Sequence, residues 1–322
     1  MGQRFPFPDN PTGWYRVAFA NEVRPNEIAS RTYFGMELIA FRTEDGAAHV
    51  MEAHCPHLGA HIGVGGCIRD GTVVCPFHNW RFDTDGRNVE IPYRRGHNGE
   101  PEVNRRASLR TFPARDWCGM VMVWFDEQRQ DLQWELPHLP EMSDETLLWH
   151  APVAARWRIR THPQEILENT VDIAHFQFVH GVSSFGELHS TENGPMLSTT
   201  ADLTLTTPRG PVTGAVVNEM WGLGIDINRV IGVGKGCTVV ALTPVDGEHV
   251  DVAYAFLSAR AKDGGGISRV AEGHVRDNIA QIEADFPIWE NKVHRPHPSL
   301  AQGEGEILRF RTWASRFYAT AS

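Results

Sequence analysis

Four residues in the first third of the chain have the types and the spacing of a paired metal-binding loop. Cys55 and His57 stand one residue apart, 17 residues separate His57 from Cys75, and His78 follows after two more. Thiolates and imidazoles suit either zinc or an iron–sulfur cluster. Each loop offers one cysteine and one histidine, so we expect the two loops to close on a [2Fe–2S] cluster. Both cysteines would bind one iron and both histidines the other.

Two other interpretations of these four residues are possible. A zinc ribbon pairs like ligands, as Cys-x2–4-Cys and His-x3–5-His, whereas both pairs here are mixed. The residues could also be unrelated, but Pro56, Gly59 and Pro76 give the loops the turn chemistry that a site needs. Because imidazoles are neutral, such a cluster has a higher potential than an all-cysteine one.

A second set of candidate ligands lies in residues 168–180, Glu-Asn-Thr-Val-Asp-Ile-Ala-His-Phe-Gln-Phe-Val-His. His175 and His180 with one carboxylate would make a mononuclear Fe(II) site with open positions for O2. Glu168, Asp172 and His175 are spaced to share one helix face, so Asp172 could hold a ring nitrogen of His175. The five-residue step between the histidines indicates that the helix bends or ends between them. Alone, two histidines near a helix end are common without any metal.

Taken together, the two motifs resemble the catalytic subunit of the Rieske non-haem iron oxygenases, over essentially the full chain. In that family Asn-x2-Asp-x2-His-x4-His is the iron motif, and it matches Asn169, Asp172, His175 and His180. The resemblance implies that the two histidines bind iron and that Asn169 and Asp172 have catalytic roles. It also implies that Asp172 bridges to His78 of a neighbouring subunit.

The loop sequences resemble the lower-potential branch of Rieske proteins. The respiratory branch has an extra cysteine in each loop, which form a disulfide, whereas this chain has Ala60 and Phe77 at the comparable positions. One departure is Asn79, where many members have glycine. It lies beside the ligands, so it could affect the local turn but not the identity of the ligands.

By resemblance, the third iron ligand is an aspartate far downstream, and we expect it to be Asp285. Asp277 and Glu283 are the alternatives. A carboxylate on a helix usually just faces solvent, and this is the alternative role for each of the three. The stretch from Asp285 to Lys292, with Arg-Pro-x-Pro after it, resembles the oxygenase component of 3-ketosteroid 9α-hydroxylase and the Neverland-type cholesterol 7-desaturases.

The strands and helices that the sequence predicts around these residues indicate an α+β protein. We expect an N-terminal all-β Rieske domain over 1–125, a polar connector over 126–150, and a catalytic domain over 151–322. The resemblance implies a helix-grip fold for the last, an antiparallel sheet plus helices. Its clearest helix has an apolar stripe of 3.6-residue period, which Pro287 should end or kink. The stripe consists of Val275, Ile279, Ile282, Phe286 and Trp289.

Composition narrows the possible partners and location. The formal net charge of −10 lacks the basic footprint of a nucleic-acid-binding protein. No signal peptide and no apolar run of about 18 residues are visible, so no membrane span is expected. Five scattered cysteines argue against a disulfide scaffold and suit the cytoplasm.

Electrons must come from elsewhere, because no Gly-x-Gly-x-x-Gly follows a strand and the run at 232–236 has the wrong spacing. We therefore expect a separate NAD(P)H-dependent reductase, with or without a ferredoxin. By resemblance we also expect a homotrimer in which the cluster of one subunit feeds the iron of the next. Five arginines could form a docking patch for an acidic partner, or simply a solvated surface: Arg94, Arg95, Arg105, Arg106 and Arg110.

The function expected from this reading is that of a terminal oxygenase. It would use O2 to hydroxylate or desaturate an apolar substrate, polycyclic or steroid-like. One alternative is a Rieske oxygenase for a different aromatic or heterocyclic substrate. A further alternative is a Rieske electron carrier whose second domain only binds a partner.

Overall fold

The computed structural model describes residues 4–97, 99–182, 184–207, 210–232, 235–262 and 264–318. The chain forms two compact units. One is Tyr15–Phe125, and the other joins the residues up to Trp14 with those from Asp126 onward. The fold is α+β with mostly antiparallel sheets, as the sequence predicted.

The first unit is built from short strands. They are β1 (Gly13–Phe19), β2 (Ile28–Tyr33), β3 (Met36–Arg42), β4 (Ala48–Glu52), β5 (Cys67–Arg69), β6 (Thr72–Val74), β7 (Arg81–Phe82), β8 (Asn88–Arg95), β9 (Pro101–Glu102), β10 (Thr111–Phe112), β11 (Ala114–Trp117) and β12 (Met120–Phe125). Three sheets result, ordered β1-β12-β11, β10-β4-β3-β2 and β5-β6-β7-β8-β9.

The two loops with cysteine and histidine leave these sheets at β4 and at β6. The first loop joins β4 to β5, and the second joins β6 to β7. Both cysteines belong to the apolar core below the loops, together with Ile39, Met51 and Ile62. The sheets therefore anchor the cysteine end of each loop and leave the histidine end nearer the surface.

The second unit is one nine-stranded sheet with helices. Its elements are β13 (Leu147–His150), β14 (Arg156–Ile159), α1 (Pro163–Leu167), α2 (Ile173–Phe178), β15 (Ser184–Phe185), β16 (His189–Asn193), β17 (Met196–Thr207), β18 (Gly210–Trp221), β19 (Ile225–Ile231), β20 (Gly236–Pro244), β21 (Val250–Ala259), α3 (Arg269–Trp289) and α4 (Gly305–Ala314). The strand order is β13-β21-β20-β19-β18-β17-β15, with β14 also on β21 and β16 also on β17.

Helix α3 covers the sheet with the apolar stripe that the sequence predicted. The Ser268 hydroxyl caps its first turn by accepting the Ala271 N–H at 3.2 Å, and Val275, Ile282 and Trp289 are buried. The helix runs two residues past Pro287 before it ends, since a proline near a helix end removes only one hydrogen bond. Helix α4, which packs Phe310 and Trp313 into the same core, was not predicted.

The apolar run from Trp117 to Phe125 contains a hairpin turn, although its composition is that of a single strand. Strand β11 ends at Trp117 and β12 begins at Met120. Between them Cys118 has φ +47° and Gly119 has φ +66°. Two successive positive φ angles are typical of the tight turns that match the twist of a hairpin.

The segment from Pro163 to His180 is not one helix. It consists of α1, a 3-10 turn over Glu168–Val171, and α2, with non-helical backbone at Asp172 (φ −94°, ψ +88°). The expectation that Glu168, Asp172 and His175 share one helix face is therefore wrong. The expectation that a helix ends between the two histidines is confirmed, because α2 stops at Phe178.

The residues before β1 pack on this second unit. The Arg4 guanidinium donates to the backbone carbonyl of Trp289 at 2.8 Å, and the Thr12 N–H donates to that of Phe317 at 2.6 Å. The last residues of the predicted connector over 126–150 form β13, which pairs with β21 of the second unit. The domain limits given above stay a prediction.

A buried histidine begins the segment with the candidate iron ligands. The Nδ1 atom of His162 accepts the Gln164 N–H at 3.2 Å and so caps α1, while Nε2 lies 3.3 Å from the Pro8 carbonyl. Since Nδ1 accepts, the ring proton belongs on Nε2. Burial lowers the pKa of His162 to about 4.

We predict that His162 makes the protein acid-sensitive between about pH 6.5 and pH 4. Its folded pKa lies below the unfolded value of 6.5, so the unfolded chain binds more protons in this window and stability falls as the pH falls. The loss should approach 3 kcal/mol in the free energy of unfolding. His162→Asn keeps a cap but cannot titrate, and denaturant titrations of this variant should show a flatter acid limb. The exposed His138→Asn is the control, and an unchanged acid limb in His162→Asn would contradict the assignment.

Candidate metal centres and active site

The first cysteine–histidine loop is a hydrogen-bonded turn around Cys55. The Cys55 N–H donates to the Ala60 carbonyl at 2.9 Å, and the Gly59 N–H donates to the Cys55 carbonyl at 2.9 Å. Gly59 has φ +76°, a left-handed conformation. The chain thus reverses around Cys55, and His57 lies at the tip of the turn.

The second loop repeats the same turn around Cys75. The Cys75 N–H donates to the Trp80 carbonyl at 2.9 Å, and the Asn79 N–H donates to the Cys75 carbonyl at 3.0 Å. Asn79 has φ +56° and occupies the position that Gly59 has in the first loop. Asparagine is among the non-glycine residues that best tolerate this conformation, so its departure from glycine is compatible with the turn.

The two turns bring the four predicted cluster ligands together. Cys55 and Cys75 are each 2% exposed, and the rings of His57 and His78 lie 4.8 Å apart between centroids. His57 stacks on Trp80 at 4.3 Å. This arrangement places two thiols on the buried side of the site and two imidazoles on the side nearer the surface.

The donor atoms of these residues suit a cluster. The Nδ1 atom of His78 is buried and has no hydrogen-bond partner among the described residues. Burial raises the pKa of the Cys55 thiol to about 11, so its thiolate needs a nearby cation at neutral pH. A cluster bound by Cys55, His57, Cys75 and His78 would satisfy both groups.

In the second unit the structure brings together the three predicted iron ligands. Atoms of His175, His180 and Asp285 that can bind a metal all lie within 4.8 Å of one another. The Nε2 atom of His180 is 3.4 Å from Oδ2 of Asp285, and both side chains are almost fully buried. Asp277 and Glu283, the alternatives for Asp285, are exposed on α3.

The imidazole of His175 is held by backbone rather than by a carboxylate. Its Nδ1 atom makes a short hydrogen bond to the backbone carbonyl of Asp172, which leaves Nε2 free to face a metal. Burial lowers the pKa of His175, which favours the neutral ring that metals bind. The structure places the Asp172 backbone carbonyl, and not the expected carboxylate, at this ring, because α2 begins after Asp172 and leaves that carbonyl free to face His175.

Two buried atoms of the triad lack partners in the described part of the chain, Nδ1 of His180 and Oδ1 of Asp285. A buried carboxylate without a counter-charge is costly, and a divalent cation among the three side chains would remove that cost. Two imidazoles and one carboxylate with positions left open are the donor set of non-haem Fe(II) sites. The residues therefore fit such an ion.

Ion pairs to distant parts of the chain hold the helical segment that carries both histidines. Glu165 is fully buried and lies 2.7 Å from Nζ of Lys292 and 2.8 Å from Nδ1 of His294. Glu168 accepts two hydrogen bonds from the Arg311 guanidinium, at 2.6 and 2.9 Å. Although burial alone would raise it, the hydrogen bond from His294 and the charge of Lys292 lower the pKa of Glu165 to about 2. Sequence spacing gave no sign of these ion pairs, because their partners lie more than 100 positions away along the chain.

The triad opens into a pocket between α3, the α1–α2 segment and the sheet, and the empty space of about 690 Å³ there includes solvent at the pocket mouth. Asn169 also lines this pocket, as do Phe176, Val240 and Tyr254. Strand β19 contributes two polar side chains, Asp226 and Asn228. Sequence reasoning missed these two, because polar residues that alternate with Ile225 and Ile227 normally face solvent. The remaining lining residues are Ile166, Leu167, Thr170, Asn218, Thr238, Asn278, Gln281, Ile282 and Trp289.

Comparison with known proteins agrees with these two sites. Residues 13–113 match the Rieske [2Fe-2S] domain, and residues 123–318 match the 3-ketosteroid 9α-hydroxylase C-terminal domain. The chain belongs to the family of Rieske non-haem iron oxygenases that carry this C-terminal domain. It is therefore an oxidoreductase with a [2Fe–2S] cluster and non-haem iron as its cofactors and O2 as its co-substrate.

Two relatives place it more finely within that family. It is 28% identical to "Cholesterol 7-desaturase nvd 1" of Ciona intestinalis, over 97% of this chain and 69% of that protein. It is 25% identical to "Probable 3-ketosteroid-9-alpha-monooxygenase, oxygenase component" of Rhodococcus rhodochrous, over 95% and 79%. A solved structure of dicamba monooxygenase shares the fold, with a TM-score of 0.73 at 16% identity over 97% and 98% of the two chains. No helix in the described ranges is long and apolar enough to cross a membrane.

We predict that Asp172→Asn leaves iron at the mononuclear site unchanged. The backbone carbonyl that holds His175 is retained, so the iron content after reconstitution should equal that of the wild type. If the carboxylate connects the two metal centres, as the family implies, the same variant should lose electron transfer from a reduced cluster. Iron analysis and stopped-flow absorbance measure the two effects. Loss of the mononuclear iron in Asp172→Asn would show that the carboxylate itself is needed for the metal site.

Proposed function

We propose that this protein is a terminal oxygenase that hydroxylates or desaturates a steroid-like, polycyclic substrate. The observation that carries the proposal is the triad of His175, His180 and Asp285 at the wall of a pocket. Two relatives that match nearly the whole chain are named for cholesterol and for a 3-ketosteroid.

The pocket residues would orient the substrate and exclude water. Iron held by the triad would supply the position at which O2 is activated, and the cluster would supply electrons one at a time. The apolar side chains of Phe176, Val240 and Ile282 would pack on the ring system and place one C–H bond near the triad. Because the Asp172 carbonyl holds Nδ1 of His175 and so fixes the direction in which Nε2 points, the geometry of the site should change little when substrate binds.

The electron donor would be a separate reductase or ferredoxin that docks beside His57. An open groove next to this histidine is lined by Tyr93, Arg94, Arg105 and Arg106. Three of the five arginines singled out in the sequence therefore lie in the groove. Their positive charge favours an acidic partner and would speed its association.

We further propose that the active form is a homotrimer, with the cluster of one subunit donating to the iron of the next through Asp172. Cluster residues at the surface support this role, because Leu58 and Phe77 beside the ligands are 65% and 60% exposed. Apolar side chains exposed in this way often mark a contact with another chain. As a separate proposal, the protein works in the cytoplasm, which suits its scattered cysteines.

The proposal predicts steroid oxidation in a single turnover without any reductase. The iron-loaded enzyme would be reduced chemically, freed of reductant, mixed with cholesterol or androst-4-ene-3,17-dione, and exposed to 18O2. Mass spectrometry should find up to about one oxidised product per active site, with 18O if the reaction is hydroxylation and without it if the reaction is desaturation.

His175→Ala should form no product although its cluster is still reduced, and the exposed His189→Ala is the matched control. Steroids left unchanged by wild-type enzyme with intact iron and cluster would contradict the steroid assignment. A panel of aromatic and heterocyclic compounds would then test the alternative substrates. Equal absence of oxidation with every compound would favour an electron carrier.

A further inference from the structure

One buried acid in the pocket has no role in holding iron. Asp226 on β19 is 6% exposed and lines the same pocket as the triad. Its Oδ1 atom is buried and lacks a hydrogen-bond partner among the described residues. A buried carboxyl group normally has its oxygens satisfied, so an unpartnered one that faces a cavity needs an explanation.

The side chains beside Asp226 on the neighbouring strands offer no partner to its Oδ1 atom. Its cross-strand partners are Met220 on β18 and Val240 on β20, both apolar. The next row of the sheet behaves differently. There Asn228 donates to the Asn218 amide oxygen in a short hydrogen bond, and Asn218 donates to the Thr199 hydroxyl at 3.3 Å.

The pocket thus has one row of polar side chains that hydrogen-bond to one another across the sheet. Beside this row lies one acid whose Oδ1 atom has no hydrogen-bond partner among the described residues. The row begins with Thr199, Asn218 and Asn228 and fixes the strands under the pocket. Asp226 stands alone between apolar side chains. Such a contrast is expected where a ligand, and not the protein, supplies the missing hydrogen-bond partner.

The electrostatic surroundings keep this acid able to donate as well as accept. Burial, followed by the charge of Glu219, raises the pKa of Asp226 to about 7, while Arg229 and a backbone hydrogen bond at Ile227 act in the opposite direction. A neutral carboxylic acid can donate to a ketone or accept from a hydroxyl, whereas a carboxylate can only accept. Tyr254, which lines the same pocket, is within electrostatic reach of both Asp226 and Asp285.

We infer that Asp226 is a specificity-determining residue that binds an oxygen substituent of the steroid, a hydroxyl or a ketone, and so sets which carbon faces the iron site. The inference rests on the proposed function. A steroid is almost entirely apolar, so the pocket walls can hold its rings in several positions. A single hydrogen bond at a fixed point distinguishes one orientation from the others, because an unpartnered polar group penalises the rest.

The test uses four ligands with one carbon skeleton: 5α-androstane-3,17-dione, 5α-androstan-3-one, 5α-androstan-17-one and 5α-androstane. Their dissociation constants from the iron-loaded, oxidised full-length enzyme are measured by equilibrium dialysis. Wild-type protein should bind one of the two monoketones on the order of 10-fold more tightly than the hydrocarbon. Asp226→Leu should lose that preference and still bind the hydrocarbon, and Asp226→Asn, which can also donate and accept, should keep it within a few-fold.

Asp202, an exposed aspartate on β17 of the same sheet, provides the matched control. Asp202→Leu and Asp202→Asn should retain the wild-type preference. Circular dichroism and the visible spectrum of the cluster confirm that each variant is folded. The comparison of ligands on wild-type protein needs no variant, so the test stands even if Asp226→Leu fails to fold.

The outcomes separate the inference from the proposed function. Equal affinity of wild-type protein for all four ligands, or an unchanged preference in Asp226→Leu, would overturn the role of Asp226 while the steroid assignment stands. Failure of wild-type protein to bind any of the four would remove the steroid assignment and the inference with it. Oxidation products give a second readout, because loss of the anchoring hydrogen bond should broaden the positions attacked.

Discussion

Two imidazoles five residues apart cannot face one point from a regular helix, because five residues turn it by about 140° beyond a full turn. This chain meets the constraint by ending α2 at Phe178, before His180. A second interruption, the non-helical backbone at Asp172, precedes both histidines and aims the Asp172 carbonyl at His175. The requirement that both rings reach one point therefore accounts for the end of α2, and the hydrogen bond to His175 depends on the break at Asp172.

Irregular backbone needs support, and here it comes from buried charge. Glu165 and Glu168 hold the segment to Lys292 and Arg311, residues that follow α3 and belong to α4. Because Asp285 lies on α3, these ion pairs and the triad join the same parts of the chain. Removing one partner of a buried pair typically destabilises a protein by about 3–5 kcal/mol. Loss of either ion pair should therefore also disturb the positions of the candidate iron ligands, although Lys292 and Arg311 are not ligands themselves.

What the sequence could predict was set by local spacing. Cys55, His57, Cys75 and His78 were found because each pair lies within one turn, and helix α3 was found because its apolar stripe repeats every three or four residues. The break at Asp172 was not found, since the ion pair that stabilises it joins Glu168 to Arg311, 143 positions away. A sequence motif also specifies only side chains, so it cannot predict a contact made by a backbone group such as the Asp172 carbonyl.

The same limits apply to turns and to buried polar groups. The apolar run across Cys118 and Gly119 hides a hairpin, because its turn residues are flanked on both sides by strand formers. Asp226 alternates with isoleucines on β19, a pattern that predicts a solvated face. Only the packing of α3 over the sheet shows that this face lines a pocket. Long-range packing thus decided the features that local spacing could not.

The central claim is that one chain holds two separate iron centres, and metal analysis tests it most directly. Anaerobically purified and Fe(II)-reconstituted wild-type protein should contain about three iron atoms and about two acid-labile sulfides per chain. His175→Ala should contain about two of each, because only the mononuclear site is lost. About two irons and two sulfides in both proteins would contradict the account and leave a protein with a cluster alone.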